Sequence, residues 1–373
     1  MLRTTIFIIY QKNNHLPQDV LYLLKELKTI SDKIVIVVNG NINEKDILEK
    51  ESDYLIIREN LGFDAGAYKT ALNDKNVQEI INQSDELVFC NDTFYGPLVP
   101  FRNIFKKMDS SECDFWGLSL IDRGIEVFLQ SNFLVFRKTI LKENILIKFF
   151  KENIDEKTTI FKDVLRFFEH YLFTFLIKNN YSYGYYCKIT TTKAATSILF
   201  DHVPILRKKL FIQEWCFKDS VLDALCYIKK NYKYPINFII EDVKKRFSID
   251  ISDDDFLNRD LTRLIKDEVV QTIISREQIQ KFIAQNISVY LYGMGKYAQE
   301  IIDIIGLDNI AGFIVSNDQV TDQYYYEKKV ICFCEIKDSH SLPIIVAMGL
   351  NNSKQVKDNL KDFTNVLYLW DLK

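Results

Sequence analysis

The sequence lacks the features that mark several large classes of protein. No apolar run approaches the roughly 18 residues of a membrane-spanning helix, and FFEHYLFTFLI, the nearest approach, carries Glu169 and His170. The apolar run near the N-terminus is also short, so we expect no signal peptide. The net charge of −3 gives no general attraction to nucleic acid or to an anionic membrane, so no nucleic-acid partner is expected.

Paired cysteines are missing as well. The chain has seven cysteines, an odd number, and no C-x-x-C pair, which predicts reduced thiols and a cytoplasmic protein. The spacing of Cys332, Cys334 and His340 fits no standard zinc site, so strand-core cysteines are the favoured interpretation. Two basic clusters, at residues 207–209 and 244–246, are interpreted first as solvated surface.

Apolar and aromatic residues are abundant. The chain has 373 residues, of which 47% are hydrophobic and 13% aromatic, so it can form large cores. This length favours two or three domains over one.

The first part of the chain alternates between two kinds of apolar pattern. Short β-branched runs predict buried strands, and longer stretches with helical spacing lie between them. This alternation predicts an α/β fold, with a mostly parallel sheet flanked by helices on both faces. Ligands bind such sheets at the carboxyl ends of the strands. The predicted strands are residues 4–10, 33–40, 53–60 and 85–92.

The stretch RENLGFDAGAYKTAL, residues 58–72, follows the third predicted strand. Gly62 and Gly66 permit backbone conformations and close approaches that other residues resist. A helix that starts near Ala65 would point its N-terminus at the ligand edge of the sheet and favour an anion or a polar group there. Asp64 would either contact a ligand or only cap this helix.

The stretch DELVFCNDTFYGP delivers Asp92 to the end of the fourth predicted strand. A carboxylate at such a strand end is a usual ligand for Mg²⁺ or Mn²⁺, with water and substrate phosphates completing the coordination. An Asx-turn, in which Asp92 only caps the chain, is an equally good interpretation of this segment alone.

Several ordered motifs together resemble the rhamnan synthesis protein F family of bacterial glycosyltransferases. The resemblance covers roughly residues 1–250. The motifs are RENLGFDAGAYKTAL, FCNDTFYGPLVPF, CDFWGLS, LQSNFLVFRKTIL, FDHVPILRKKLF and ALCYIKKNYKYPINFIIEDV.

This resemblance implies a GT-A-type fold and a nucleotide-sugar donor, typically an activated deoxyhexose such as dTDP-L-rhamnose. The Asp-x-Asp metal motif of such enzymes corresponds here to Cys90, Asn91 and Asp92, which leaves Asp92 as the candidate ligand of a divalent cation, Mg²⁺ or Mn²⁺. Gly62 and Gly66 would shape the wall of the donor site. The residues expected to contact the donor nucleotide are Tyr10, Asn39, Arg58, Asn60, Gly62, Asp64, Gly66, Lys69 and Asn91.

The resemblance also suggests which carboxylate acts as general base. In many GT-A enzymes the base lies at the start of a helix that is followed by a Gly/Asn–Tyr turn, and FFEHYLFTFLIKNNYSYGYY has this layout with Glu169 in place. An exposed position on the polar face of a helix is the alternative for Glu169. Asp114, in CDFWG, is the second candidate for the base.

Other residues of these motifs have secondary candidate roles. His202 is a candidate metal ligand, although a lone histidine is more often structural. Arg207 and Lys208, with Lys209 beside them, are candidates to neutralise the departing diphosphate or to meet a lipid diphosphate. Trp116 and Gln130 are candidate contacts for the acceptor sugar.

The C-terminal part of the chain begins a second α/β pattern. SVYLYGMGKYAQEIIDII predicts a strand, a glycine turn at Gly293 and Gly295, and a helix, which matches the dinucleotide fingerprint with Ala298 as its third residue. The acidic residue expected at the end of the next strand is indistinct, with Asn317 and Asp318 in that place. A nucleotide-binding relic, a regulatory domain and a docking module are the alternatives for this unit.

These patterns divide the chain into a glycosyltransferase domain at 1–205, a helical extension at 206–285 and a Rossmann-like domain at 286–373. The expected activity is inverting transfer of a deoxyhexose, L-rhamnose by the resemblance, to a growing surface polysaccharide. The alternatives are a UDP-hexose donor on the same fold, or a non-catalytic partner in polysaccharide assembly. The expected acceptor is a glycan or a lipid-linked glycan. The expected location is the cytoplasm, where the protein could make peripheral contact with the inner face of the membrane.

Overall fold

The chain forms two compact units, Met1–Arg259 and Asp260–Lys373. A computed structural model describes residues 1–122, 127–160, 165–189, 197–213, 218–251, 278–316, 324–348 and 356–368. The predicted domain limits at 205 and 285 stay predictions. Residues 278–284 are helical, however, and Ile279 packs in the core of the second unit.

The strands of the first unit occur where β-branched and aromatic residues cluster in the sequence. All four strands predicted there are present, within a few residues of the expected limits. The strands are β1 (Arg3–Ile9), β2 (Lys33–Asn39), β3 (Tyr54–Arg58), β4 (Glu86–Asn91), β5 (Phe94–Tyr95), β6 (Phe115–Asp122), β7 (Val127–Leu129), β8 (Phe133–Arg137), β9 (Tyr183–Ile189) and β10 (Leu206–Arg207).

Helices alternate with these strands and bury an apolar stripe against the sheet. In the first helix, α1, that stripe is Val20, Leu23, Leu24 and Leu27. The helices of this unit are α1 (Gln18–Lys28), α2 (Lys45–Glu51), α3 (Phe63–Asn73), α4 (Lys75–Asn82), α5 (Phe101–Met108), α6 (Lys138–Lys142), α7 (Ile145–Asn153), a π-helix (Leu165–His170), and Tyr171–Lys178, Ser197–Phe200, Leu210–Gln213, Lys218–Asn231 and Ile236–Phe247.

Eight strands form the main sheet in the order β3-β2-β1-β4-β8-β6-β7, with β9 paired to β6. Strands β1 to β4 are parallel, β8 is antiparallel to both β4 and β6, and β9 is parallel to β6. Strands β1, β2 and β4 are buried almost along their whole length, as expected for strands covered on both faces. The prediction of a mixed α/β fold with a mostly parallel sheet flanked by helices is therefore confirmed.

The strand order also determines where a ligand site can form. From β1, the chain runs outward to β2 and β3, and then returns to place β4 on the other side of β1. The order of strands therefore reverses between β1 and β4, and a crevice opens at their carboxyl ends in sheets of this type.

Of the predicted helical extension at 206–285, the part up to Arg259 belongs to the first unit. Helix Ile236–Phe247 lies against α1, where Tyr22 forms edge-on ring contacts with Tyr234 and Phe238 at centroid distances of 5.1 and 6.2 Å. Strand β10 pairs with β5 in a separate two-stranded sheet. The extension thus brings residues from positions beyond 205 to the ligand edge of the main sheet.

The second unit contains a six-stranded sheet in the order β13-β14-β12-β11-β15-β16. The glycine turn follows β11 as predicted, whereas the sequence pattern did not reveal β13 and β14. Asn317 and Asp318 lie outside the described residues. The elements are β11 (Val289–Tyr292), helix Lys296–Ile305, a 3₁₀ turn (Leu307–Asn309), β12 (Ile310–Val315), β13 (Tyr324–Tyr325), β14 (Lys328–Cys332), helix Phe333–Ile336, β15 (Ile344–Val346) and β16 (Val366–Tyr368).

The interpretation of Cys332 and Cys334 as strand-core cysteines is right for Cys332, which is buried at the end of β14, and wrong for Cys334, which is exposed in the helix that follows. The Sγ atom of Cys332 accepts a hydrogen bond from the backbone N–H of Cys334 and caps the short helix that follows β14. Among the residues that the structure describes, no helix is long and apolar enough to cross a membrane.

Candidate active site

A cleft of about 570 Å³ lies at the carboxyl ends of β1, β2 and β4. Its volume falls in the range of small-molecule sites in proteins. The lining comes from sequence positions that are far apart, because the strand ends, the π-helix and the helical extension all meet at this edge. The lining residues are Ile8, Tyr10, Asn39, Asn60, Phe63, Asp64, Asn91, Asp92, Thr93, Gln130, Ser131, Asn132, Phe168, Glu169, Arg207, Lys208, Lys209, Ile212, Arg246 and Phe247.

Asp92 lies at the floor of this cleft, directly after β4, and is only 7% exposed. Its Oδ2 atom accepts hydrogen bonds from the backbone N–H of Tyr10, at 3.1 Å, and from Nε2 of Gln11, at 2.6 Å. Burial raises the pKa of Asp92, while the positive charges of Lys208 and Arg246 oppose that rise. Asp92 is thus a buried carboxylate that the protein holds at one oxygen.

Asp64 lies in the first turn of α3 and also lines the cleft. Its Oδ2 accepts a hydrogen bond from Nδ2 of Asn91 at 3.1 Å, so the two predicted nucleotide contacts touch each other. Burial, followed by the negative charge of Glu169, raises the pKa of Asp64 to about 6. Burial lowers the pKa of Lys209, and the positive charge of Arg207 lowers it further, while the negative charges of Asp64 and Glu169 oppose the shift.

This shift makes protein stability depend on the charge of Asp64. The ordinary pKa of 3.8 is raised in the folded state, so ionisation costs stability as the pH rises from about 4 through about 6. Asp64→Asn removes that cost. We expect the unfolding free energy of the variant, relative to the wild type, to increase by about 1 kcal/mol between about pH 5 and about pH 7.5 in urea titrations.

Measuring at two pH values separates the effect of the Asp64 charge from the loss of a hydrogen bond in the variant. A lost hydrogen bond would lower the unfolding free energy equally at both pH values. A difference between variant and wild type that is equal at the two pH values would contradict the raised pKa. Asp85→Asn is a control for the method, since Asp85 is a half-buried carboxylate outside the cleft whose pKa Lys138 lowers.

Glu169 lies in the π-helix Leu165–His170 and faces the cleft. Short π-helical segments often occur at functional sites. The neighbouring side chains fix the backbone here, because Phe168 is 1% exposed and His170 stacks on Phe128 at a centroid distance of 4.2 Å. The Oε1 atom of Glu169 accepts a hydrogen bond from the backbone N–H of Ser131 at 3.1 Å.

The basic cluster at residues 207–209 enters the cleft because β10 pairs with β5, beside Asp92. The ammonium of Lys208 forms an ion pair with Oδ2 of Asp19 at 2.6 Å, and these side chains are 6% and 1% exposed. Lys208 therefore neutralises a buried carboxylate. Arg207 and Lys209 line the cleft as well.

The glycines of the RENLGFDAGAYKTAL stretch do not line the cleft. Gly62 has a φ of +68°, and a Cβ atom there would lie 2.8 Å from the carbonyl oxygen of Glu156. A Cβ atom on Gly66 would lie 2.6 Å from the carbonyl oxygen of Leu61. The prediction that these glycines shape the donor wall is corrected, because they are required by the close approach of the chain to itself.

Two basic residues of the same stretch also act within the protein. Arg58 donates to Oδ1 of Asn39 at 2.6 Å and to the carbonyl oxygen of Leu61 at 2.7 Å. Lys69 donates to the carbonyl oxygen of Ile154 at 2.7 Å. They hold the loops that surround the cleft, so the predicted direct contacts of Arg58 and Lys69 with the nucleotide are corrected to supporting ones.

Asp114 lies at the end of the strands opposite to the cleft. Strands β4 and β6 run in the same direction, because each is antiparallel to β8, and Asp114 precedes β6 whereas Asp92 follows β4. Although partial burial acts to raise it, hydrogen bonds from Thr139 and Ser182 lower the pKa of Asp114. Asp114 is therefore not placed to act as the base in this cleft.

Two further candidates lie outside the cleft. Trp116 is fully buried and packs edge-on against Phe105 at 5.0 Å, so it cannot stack on an acceptor sugar. His202 is exposed and does not line the cleft. Among the described residues, no group of three or more His, Cys, Asp or Glu side chains could hold a metal ion.

The sequence predicted ten residues that the structure places in the cleft. They are Tyr10, Asn39, Asn60, Asp64, Asn91, Asp92, Gln130, Glu169, Arg207 and Lys208. It missed Arg246, which was interpreted as solvated surface with its neighbours. Lys244 does form an exposed ion pair with Asp250, but Arg246 turns inward and donates to Oε1 of Gln11 at 2.9 Å. Little in the sequence indicated that Arg246 differs from Lys244, since both residues belong to the same Lys-Lys-Arg cluster at 244–246.

A family model matches most of the chain. A family model described as "Rhamnan synthesis protein F" matches residues 34–330. Two curated relatives, both the virulence protein VirA of Vibrio anguillarum, are 40% identical over 90 residues, which cover 23% of this chain and 28% of each relative. The chain therefore spans little more than a quarter of the length of these relatives.

Solved structures show weaker likenesses. S. aureus TarS 1-349 has a TM-score of 0.32 and 14% identity, over 82% of this chain and 89% of TarS. Glucosyl-3-phosphoglycerate synthase of Mycobacterium tuberculosis, solved with Mn²⁺ and UDP, has a TM-score of 0.26 and 11% identity, over 37% and 58% of the two chains. A cytidylyltransferase of Leptospira borgpetersenii has a TM-score of 0.33 and 14% identity, over 68% and 98%.

Proposed function

The chain belongs to the rhamnan synthesis protein F family of glycosyltransferases, since the family model matches residues 34–330 of its 373 residues, and we propose that it transfers a sugar from a nucleotide-sugar donor during polysaccharide synthesis. The observation that carries this proposal is the composition of one cleft. A strand-end carboxylate, Asp92, a second carboxylate, Glu169, and the basic residues Arg207 and Lys209 all line it.

The donor nucleotide occupies the part of the cleft between the ends of β1 and β2. Tyr10, which is 43% exposed, offers a ring face for a nucleobase, and Asn60 offers amide hydrogen bonds beside it. Asn39 contributes less directly, because Arg58 and the carbonyl oxygen of Phe63 engage its amide. Membership of a family named for rhamnan synthesis supports dTDP-L-rhamnose as the proposed donor.

Glu169 is the general base of an inverting transfer. The backbone N–H of Ser131 holds Oε1, and Oε2 takes the proton of the acceptor hydroxyl. The acceptor oxygen then forms a bond to the anomeric carbon of the sugar from the face opposite the diphosphate. The bond between that carbon and the phosphate oxygen breaks, and the nucleoside diphosphate departs with the electron pair.

The leaving diphosphate gains negative charge in this step. Lys209 and Arg207 stabilise it, because both line the cleft and add positive charge there. Asp92 fits one position of a Mg²⁺ or Mn²⁺ site, since both hydrogen bonds it accepts from the described residues reach Oδ2. Asp92 would hold such a cation together with phosphate oxygens of the donor, and the cation would supply Lewis-acid stabilisation of the leaving group. His202 does not fit this site, because it is exposed outside the cleft.

The acceptor is a glycan or a lipid-linked glycan that enters beside Glu169. Gln130 is 6% exposed and lines this part of the cleft together with Ser131 and Asn132, which end the β7–β8 turn. Their polar groups are suited to hydroxyl recognition.

The role of Lys209 provides a test of the proposal. Lys209→Met keeps the length of the side chain but removes its charge. We expect it to weaken binding of dTDP or UDP about tenfold or more while leaving the affinity for the nucleoside unchanged, measured by isothermal titration calorimetry. Lys244→Met is the matched control, because Lys244 pairs with Asp250 on the surface.

Equal loss of nucleoside and nucleoside diphosphate binding would contradict a phosphate contact at Lys209. Failure of the wild-type protein to bind any nucleoside diphosphate would contradict the proposed function itself.

A further inference from the structure

Arg246 connects the helical extension to the floor of the cleft through a chain of hydrogen bonds. Its guanidinium donates from NH2 to Oε1 of Gln11 at 2.9 Å, across 235 positions of sequence. Nε2 of Gln11 then donates to Oδ2 of Asp92 at 2.6 Å. The guanidinium is itself anchored, since Nε lies 3.0 Å from Oδ2 of Asp242, which also accepts a bond from the hydroxyl of Tyr95 at 2.7 Å.

The chemistry of the two ends fixes the orientation of the Gln11 amide. A guanidinium can only donate hydrogen bonds, so the oxygen of the amide must face Arg246. An ionised carboxylate can only accept them, so the amide nitrogen must face Asp92. Because Gln11 is 4% exposed, water has little access to compete for either position. Arg246 thereby determines which group Gln11 presents to Asp92.

The orientation of the Gln11 amide affects Asp92, the carboxylate that the proposed function places at the donor diphosphate. Gln11 and the backbone of Tyr10 both occupy Oδ2 of Asp92. Without Arg246, the Gln11 amide loses the partner that holds its oxygen away from Asp92, and the carboxylate loses its fixed rotation. Hydrogen-bonded neighbours of ligating carboxylates commonly set ligand orientation and affinity in this way.

Building on the proposed function, we propose that Arg246 is a positioning residue for the donor diphosphate, acting through Gln11 to hold Asp92 with Oδ1 on the ligand side of the cleft. The helical extension is then part of the donor site. If Arg246 had a purely structural role, through its ion pair with Asp242, substitution of Gln11 would leave nucleotide binding unchanged, because Gln11 takes no part in that ion pair.

The test compares Gln11→Met, Arg246→Met and the double variant in the full-length protein. The measured quantity is the dissociation constant for dTDP and for UDP, in the presence of MnCl2, by isothermal titration calorimetry, with melting temperatures recorded in parallel. Each single substitution is expected to weaken binding about tenfold. The double variant is expected to be no weaker than the worse single variant, because both changes interrupt one chain of contacts.

Lys244→Met, on the same helix, is the control and is expected to bind as the wild type does. Wild-type affinity in Gln11→Met would overturn the proposal, as would additive losses in the double variant. Gln11→Met keeps the Arg246–Asp242 ion pair, so it remains informative if Arg246→Met fails to fold. If the wild-type protein binds and Asp92→Asn weakens binding while Gln11→Met does not, only this inference fails. If the wild type binds neither nucleotide, the proposed function fails with it.

Discussion

Glu169→Gln is expected to bind the nucleotide-sugar donor nearly as the wild type does and to transfer the sugar about 10²–10⁴-fold more slowly, the usual contribution of a general base. Glutamine has the same size as glutamate, and its oxygen can still accept the hydrogen bond from Ser131. It cannot take the proton of the acceptor hydroxyl. Transfer rates with a glycan acceptor, measured beside donor binding by calorimetry, check this result.

Asp114→Asn is the matched control for this substitution. Asp114 is a carboxylate at the opposite edge of the sheet, bonded to Thr139 and Ser182, so its loss should leave the chemical step unchanged. Glu169→Ala is less informative, because a cavity next to Phe168 would disturb packing. Wild-type transfer in Glu169→Gln, with collapse in Asp114→Asn, would move the base to Asp114.

Asp92→Asn is expected to lower donor turnover by about a hundredfold or more, since stabilisation of the leaving diphosphate by a bound cation is worth several kcal/mol. Asparagine keeps the shape of the side chain, and the variant should not melt earlier than the wild type, because it removes a buried charge whose ionisation is disfavoured. The wild-type enzyme should lose activity in EDTA and recover it with Mn²⁺ or Mg²⁺.

Asp85→Asn provides the control at the other end of the same strand. Asp85 precedes β4, does not line the cleft, and pairs with Lys138, so its charge should not affect turnover. Full activity of the wild type in EDTA, together with unimpaired turnover by Asp92→Asn, would remove the metal-ligand assignment.

The sequence was sufficient for the parts of the fold that depend on local patterns. The runs that became β1, β2, β3 and β4 are continuous and apolar because both faces of these strands are covered, and such runs are recognisable without tertiary information. Polar residues at their carboxyl ends then indicated the cleft. Tyr10, Asn91 and Asp92 were found in this way.

Long-range contacts could not be obtained from local patterns. Whether Arg246 faces solvent or Gln11 depends on how helix Ile236–Phe247 lies on α1, and no local pattern encodes that packing. Gly62 and Gly66 were correctly recognised as special, but the sequence could not show that the close neighbour is the backbone of Glu156 and Leu61 and not a ligand. Asp114 was a candidate base in the sequence, but the direction of β6 places it at the end of the strands opposite to the cleft.

The central claim is that the cleft at the ends of β1 and β4 binds and activates a nucleotide sugar. Release of nucleoside diphosphate from a panel of donors, including dTDP-L-rhamnose and UDP-hexoses, tests it most directly when wild type and Asp92→Asn are compared. The account predicts turnover of dTDP-L-rhamnose by the wild type, alone or with an added glycan acceptor, and its loss in the variant. Preference for a UDP-hexose would change the donor but keep the claim. Absence of binding and turnover for every donor in the panel would contradict it and favour a non-catalytic partner in polysaccharide assembly.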